Sequence, residues 1–105
     1  MIVKICDFGY ACHLQDGAYA NAKCGSPAYA APEVIKGEPY AHAVDIWSLG
    51  VVMFTLLTGK SPFFKEDINE MFDMICIGEY ETELEAYNDL SFDCKHLLRH
   101  IFEID

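Results

Sequence analysis

The widest chemical range in this 105-residue chain belongs to five cysteines, Cys6, Cys12, Cys24, Cys76 and Cys94. Thiolates bind zinc, form disulfides and act as nucleophiles. Their odd number, irregular spacing and lack of a Cys-x-x-Cys pair suggest neither a disulfide framework nor a zinc knuckle. Cys12 and His13 with Cys24 could supply three metal ligands, yet reduced thiols are the simpler reading. Three short clusters carry the remaining chemistry: Asp7-Phe8-Gly9, Ala31-Pro32-Glu33 and Asp45-Ile46-Trp47-Ser48-Leu49-Gly50. Singly they say little. An Asp close before Gly is by itself a turn former, and Asp45 reads as a carboxylate at the positive end of a helix.

Charge narrows the function classes. The chain has formal net charge −10, and every acid between Glu66 and Asp93 lies in a stretch without Lys or Arg. A nucleic-acid surface needs clustered positive charge, so that class is excluded. A basic peptide partner is compatible with the stretch; a solvated face is the plainer reading. The longest uncharged run, Ile46 to Gly59, falls short of the roughly 18–20 residues that span a bilayer. Asp7 interrupts the apolar start, and no cleavage pattern follows it. The expectation is a protein of the cytoplasm or nucleus, with no membrane and no nucleic-acid partner.

The elements that must position these clusters follow from periodicity. Ile2–Cys6 is β-branched and weakly alternating, which predicts a short strand. From Tyr10 to Ala30 no helical period exists, and Gly17, Gly25 and Pro27 punctuate a long loop. Pro32-Glu33-Val34-Ile35 opens a short helix, stopped at Gly37. Residues 43–58 are apolar almost all round, the signature of a helix enclosed by a larger domain, and Gly59 ends it. Ile68, Met71, Phe72 and Ile75 form one amphipathic stripe stopped at Gly78; Cys94, Leu97, Leu98, Ile101 and Phe102 form another, begun by Ser91 or Asp93. Glu79–Leu90 reads as an acidic connector. Three neighbouring helices can cover only part of the 43–58 helix, so the expected domain is incomplete.

Taken together and in this order, the three clusters resemble the protein kinase family, and the resemblance covers essentially the whole chain. Cys24-Gly25-Ser26-Pro27-Ala28-Tyr29-Ala30-Ala31-Pro32-Glu33 is similar to the substrate-binding segment of Ser/Thr kinases. It resembles in particular the AMP-activated and calcium/calmodulin-dependent relatives. The resemblance implies a mainly α fold, a partial kinase C-terminal lobe over residues 1–105. It would run from the metal-binding Asp-Phe-Gly to the penultimate helix, with a short N-terminal β element, an activation segment and three to four helices.

The resemblance also implies roles. Asp7 would hold Mg²⁺ bridging ATP phosphates, with Cys6, Phe8 and Gly9 beside the nucleotide. Phe8 would be a spine residue, and Gly9 would free the backbone. Ser26 would contact the catalytic loop from the lip, and Cys24, Gly25, Pro27, Ala28 and Tyr29 would shape the peptide site. Glu33 would pair with an Arg farther along; since no Arg follows Arg99, it would be left as an unpaired buried charge. Asp45 would anchor the catalytic loop, with Trp47 and Gly50 as structural residues. Val52 and Leu56 would lie under the adenine, or simply pack in the core.

There are departures. No Gly-rich loop, Val-Ala-x-Lys strand or His-Arg-Asp loop is present, so the catalytic base is missing. Ala22 stands where such lips commonly carry an activating threonine, and residues 1–25 contain no Ser or Thr. The expected function is part of a Ser/Thr kinase that transfers the ATP γ-phosphate to protein, inactive as a fragment. The alternative is a non-catalytic kinase-like interaction module, a pseudokinase or truncated product. Uncovered apolar surface would favour self-association.

Overall fold

A computed structural model describes residues 1–104 of the chain. Five helices follow one another: α1 (Pro32–Ile35), α2 (Ala43–Thr58), α3 (Ile68–Ile77), α4 (Glu85–Asn88) and α5 (Phe92–Ile101). A single 3-10 turn, Pro27–Tyr29, precedes them. Helix ends carry the signals their sequences predict. The Asp67 carboxylate accepts from the Asn69 and Glu70 amides, and the Ser91 hydroxyl accepts from the Cys94 amide, satisfying donors that an N-terminus otherwise leaves free. Gly59 and Gly78 stop α2 and α3 in the left-handed conformation.

The fold is mainly α, as the periodicity implies, with two differences. Ile2–Cys6 forms no strand: its residues are exposed and pair with nothing among the described residues. A strand needs a ladder partner, and β-branching alone does not supply one. The one β pairing among the described residues is the isolated bridge Ala20–Tyr40, with amide-to-carbonyl distances of 2.7 Å both ways. The acidic connector holds a helix of its own, α4, which buries Tyr87. Its acids face water while one aromatic ring turns inward. The Cα radius of gyration, 14.3 Å, exceeds the ~13 Å of a compact domain this size, consistent with residues 1–26 lying as an open, largely exposed loop.

The core is a cluster of rings. Phe102, at the end of α5, meets Trp47 and Phe63 edge-on at 5.1 Å and Tyr80 at 5.0 Å. Trp47 stacks on Phe63 at 5.4 Å, and Phe54 touches Tyr80 and Tyr87 at about 6 Å. Trp47 and Phe54 come from α2, Phe63 from the loop after it, and Tyr80 and Tyr87 from the acidic connector. Edge-to-face pairs of this kind add ~0.5–1.5 kcal/mol each beyond area burial. Val51, Ile75 and Leu98, all fully enclosed, fill the spaces between.

Gly50 lets α2 and α5 meet this closely. A methyl group there would lie 2.5 Å from Ile101 Cγ2 and 3.2 Å from the Phe102 ring. Gly78 is similarly pressed, with a Cβ falling 2.7 Å from the Phe102 carbonyl oxygen.

Helix α2 is covered on one face only. Trp47, Gly50, Val51 and Phe54 point into the core, whereas Ile46, Leu49, Val52, Leu56 and Leu57 are exposed on the other side. Full core packing for Val52 and Leu56 is thereby corrected: Val52 is 41% and Leu56 81% exposed.

Tyr80 and Tyr87 share a hydroxyl–hydroxyl hydrogen bond of 3.1 Å. Burial pushes the Tyr80 phenol up to about 12; the Tyr87 hydroxyl adds to the rise and Arg99 opposes it. A phenol raised above its unfolded value of roughly 10 contributes stability that is complete below pH ~10 and lost as pH climbs toward 12.

Two measurements check this core. Gly50→Ala should destabilise the fold by about 1–3 kcal/mol through overpacking; a urea midpoint equal to wild type would contradict the close α2–α5 contact. Tyrosinate absorbance during alkaline titration should show one phenol ionising together with unfolding between pH ~10 and ~12. Tyr80→Phe should remove that component.

Candidate functional site

The loop before α1 folds as a lip over the start of α2 and the side of α3. Pro27 sets the first residue of its 3-10 turn, and the Tyr29 and Ala30 amides donate back to the Ser26 and Pro27 carbonyls at 3.1 Å. Ser48 of α2 then ties the turn down. Its hydroxyl lies 2.7 Å from the Tyr29 carbonyl and 3.2 Å from its own helix's Val44 carbonyl, so its single proton is shared between turn and helix.

Beneath the lip lies a cavity of about 160 Å³ lined by Cys24, Gly25 and Pro27 together with Lys23, Ala30, Val34, Ile35 and Phe72. Three of the six lip positions that the sequence singles out therefore meet here. Ser26, Ala28 and Tyr29 do not line it: Ala28 packs toward the core, and Ser26 and Tyr29 are exposed. The walls contributed by α1 and α3 have no local signal in the sequence. Phe72 reads there simply as one member of an amphipathic stripe.

Tyr40 holds the preceding loop. Besides the two backbone bonds to Ala20, its hydroxyl donates to the Ala22 carbonyl at 2.6 Å. Its pKa is raised, first by desolvation and then by the neighbouring Cys24 thiol. A second cavity, about 280 Å³, opens between this loop and α2, with Cys12, Cys24, Tyr40 and Asp45 on its walls. Asp45 sits in the first turn of α2, exposed, where its charge complements the helix dipole.

At the N-terminal end, Cys6, Asp7, Phe8 and Gly9 are all exposed and line none of these cavities. Asp7 is left-handed (φ 65°), the one non-glycine with positive φ among the described residues. Gly9 is not left-handed, so the unusual backbone falls on the carboxylate-bearing residue. Asp is among the side chains that tolerate it best. No group of three His, Cys, Asp or Glu that could hold a metal forms among the described residues. Asp7 therefore offers a single oxygen ligand group.

Glu33 departs from the expectation of a buried charge. It is half-buried and lines a third cavity of about 370 Å³ with Lys36, Glu38, Trp47 and Glu103. No Lys or Arg pairs with it among the described residues, where the one close imidazole–carboxylate contact is His100 Nδ1–Glu103 at 3.8 Å. Water still reaches its carboxylate, so the cost of a missing partner is reduced. Trp47 is buried, and its indole N–H has no acceptor among the described residues.

Comparison with known proteins adds sequence-wide likeness to this geometry. Residues 1–105 match the family described as "Protein kinase domain". The chain is 38% identical over 103 residues to calcium/calmodulin-dependent protein kinase type 1B of Homo sapiens, and equally to that of Rattus norvegicus. It is 40% identical over 104 residues to serine/threonine-protein kinase GIN4 of Saccharomyces cerevisiae. These alignments take in 98% of this chain but 30% of the type 1B kinases and 9% of GIN4, so the chain spans under a third of each relative.

Ser48→Ala should cost about 1 kcal/mol and release the lip locally. Amide hydrogen exchange at Tyr29 and Ala30 should accelerate while exchange in α5 stays unchanged. Uniform acceleration would mean that Ser48 serves the whole fold and not the lip.

Proposed function

The chain belongs to the protein kinase family, and from that premise we propose that residues 1–105 form the peptide-docking and metal-contacting part of a Ser/Thr kinase large lobe. The observation that carries the reading is the small, largely apolar cavity under Cys24-Gly25-x-Pro27, closed from below by Val34, Ile35 and Phe72. A cavity of that size accepts one apolar side chain of an extended peptide, while the exposed Ser26 and Tyr29 are left free to meet its backbone.

Asp7 suits the second half of the proposal. Mg²⁺ keeps several waters and binds through one or two carboxylates plus phosphate oxygens, so one exposed carboxylate fits it. Bound there, Mg–ATP would supply the phosphoryl group and charge neutralisation. The chain's own part is to hold Asp7 outward on a left-handed residue beside Phe8 and Gly9. Cys6 flanks this point, Ser26 carries a hydroxyl at the lip toward the catalytic loop, and Asp45 anchors from α2. Glu33 awaits a basic partner. The substrate is a protein or peptide, and a location in the cytoplasm or nucleus suits it. No described helix is long and apolar enough to cross a membrane. The exposed face of α2 supports self-association of the chain when it stands alone.

Two substitutions in the protein that carries this segment separate the halves. Asp7→Asn should lower kcat for phosphoryl transfer by on the order of 100-fold or more, with KM for peptide little changed. Phe72→Arg should raise KM for peptide with kcat largely retained. Peptide KM unaffected by Phe72→Arg would remove the docking assignment; full activity of Asp7→Asn would remove the metal assignment.

A further inference from the structure

Cys12 and Cys24 are both exposed, and both stand on the wall of the same cavity of about 280 Å³. The chain turns back on itself between them. The Ala18 amide donates to the Gln15 carbonyl at 2.9 Å, and Gly17 supplies the left-handed corner (φ 78°). Beyond that corner the chain is pinned by the Ala20–Tyr40 bridge and by the Tyr40 hydroxyl on Ala22, and Cys24 comes back to the cavity that Cys12 also lines. The Tyr40 phenol feels both sulfurs, since each thiol raises its pKa. Neither cysteine lies in a helix, so their backbone can adjust to the few ångströms that a disulfide demands.

We propose that Cys12 and Cys24 form a peroxide-sensitive dithiol that closes to an intramolecular disulfide across the loop. One thiolate attacks an oxygen of hydrogen peroxide; the O–O bond breaks, hydroxide leaves and takes a proton to become water, and a sulfenic acid remains. The second thiolate attacks that sulfur, the S–OH bond breaks, and the departing hydroxide becomes a second water. Two thiol protons and two electrons pass to the peroxide, giving one disulfide and two waters. Cys24 also walls the 160 Å³ cavity under the lip, so the new bond draws on a residue that shapes both spaces. Cys6 is equally exposed but lines neither cavity, and it serves as the internal control.

The test is peroxide treatment of the protein that carries this segment, quenched with a thiol alkylator and read by mass spectrometry with peptide mapping of residues 1–105. The expected product is a monomer that carries two fewer alkyl groups than the reduced control, regains them when a phosphine reductant precedes alkylation, and whose digest joins the Cys12 and Cys24 peptides. Proximity should make the bond form at least about tenfold faster than in concentrated urea. Cys12→Ser and Cys24→Ser should each abolish it, and Cys6→Ser should leave it intact. A bond mapped to any other pair, equal rates with and without urea, or oxidation to sulfinic acid without a disulfide would each overturn the proposal.

Discussion

Phe102 touches three aromatic rings at once, from α2, from the loop after it and from the acidic connector. Those contacts are what close the chain into a single body. The condition for the contact is negative space: Gly50 has no side chain where Ile101 and the Phe102 ring must pass. One missing methyl group thus fixes the spacing between two helices. That spacing seats Trp47 and Phe63 against each other. Once the rings are seated, α2 has a fixed azimuth, and Ser48 faces the lip.

The acidic stretch gains sense from the same arrangement. Ten carboxylates with no base among them would repel one another in a compact segment. The structure disperses them outward and sends Tyr80, Leu84 and Tyr87 inward, so the connector is attached by its apolar minority. Lys95 helps from α5, donating to the Asn88 carbonyl at 2.7 Å and lying 5.7 Å from the centre of the Tyr87 ring.

Most helices were legible because their signals are local. Period, caps and stop glycines for α2, α3 and α5 all lie within a few residues of the element they define. The likeness to kinases was legible for another reason: three spaced clusters together are specific where each alone is not. What the sequence could not show are relations across the chain. Ser48 finds the Tyr29 carbonyl, and Tyr40 finds Ala20 and Ala22, through tertiary proximity that no local spacing encodes. Phe72 could be placed on a helix face but not assigned to a cavity. The Ile2–Cys6 strand failed for the complementary reason, since its local preference was met by no partner. Helix α4 was missed because four residues within an acidic run carry too little period to see.

Helix α2 has two apolar faces and covers only one, and this bears on the thermodynamics of unfolding. Ile46, Leu49, Val52, Leu56 and Leu57 keep between 41% and 81% of their exposure in the folded state. They add fully to the apolar composition but only in part to the area newly hydrated when the structure melts. Both the denaturant slope and the heat-capacity increment scale with that area. A chain that is 52% hydrophobic will therefore unfold with a shallower slope and a flatter stability curve than its composition suggests, until something comes to lie along the bare side of that helix.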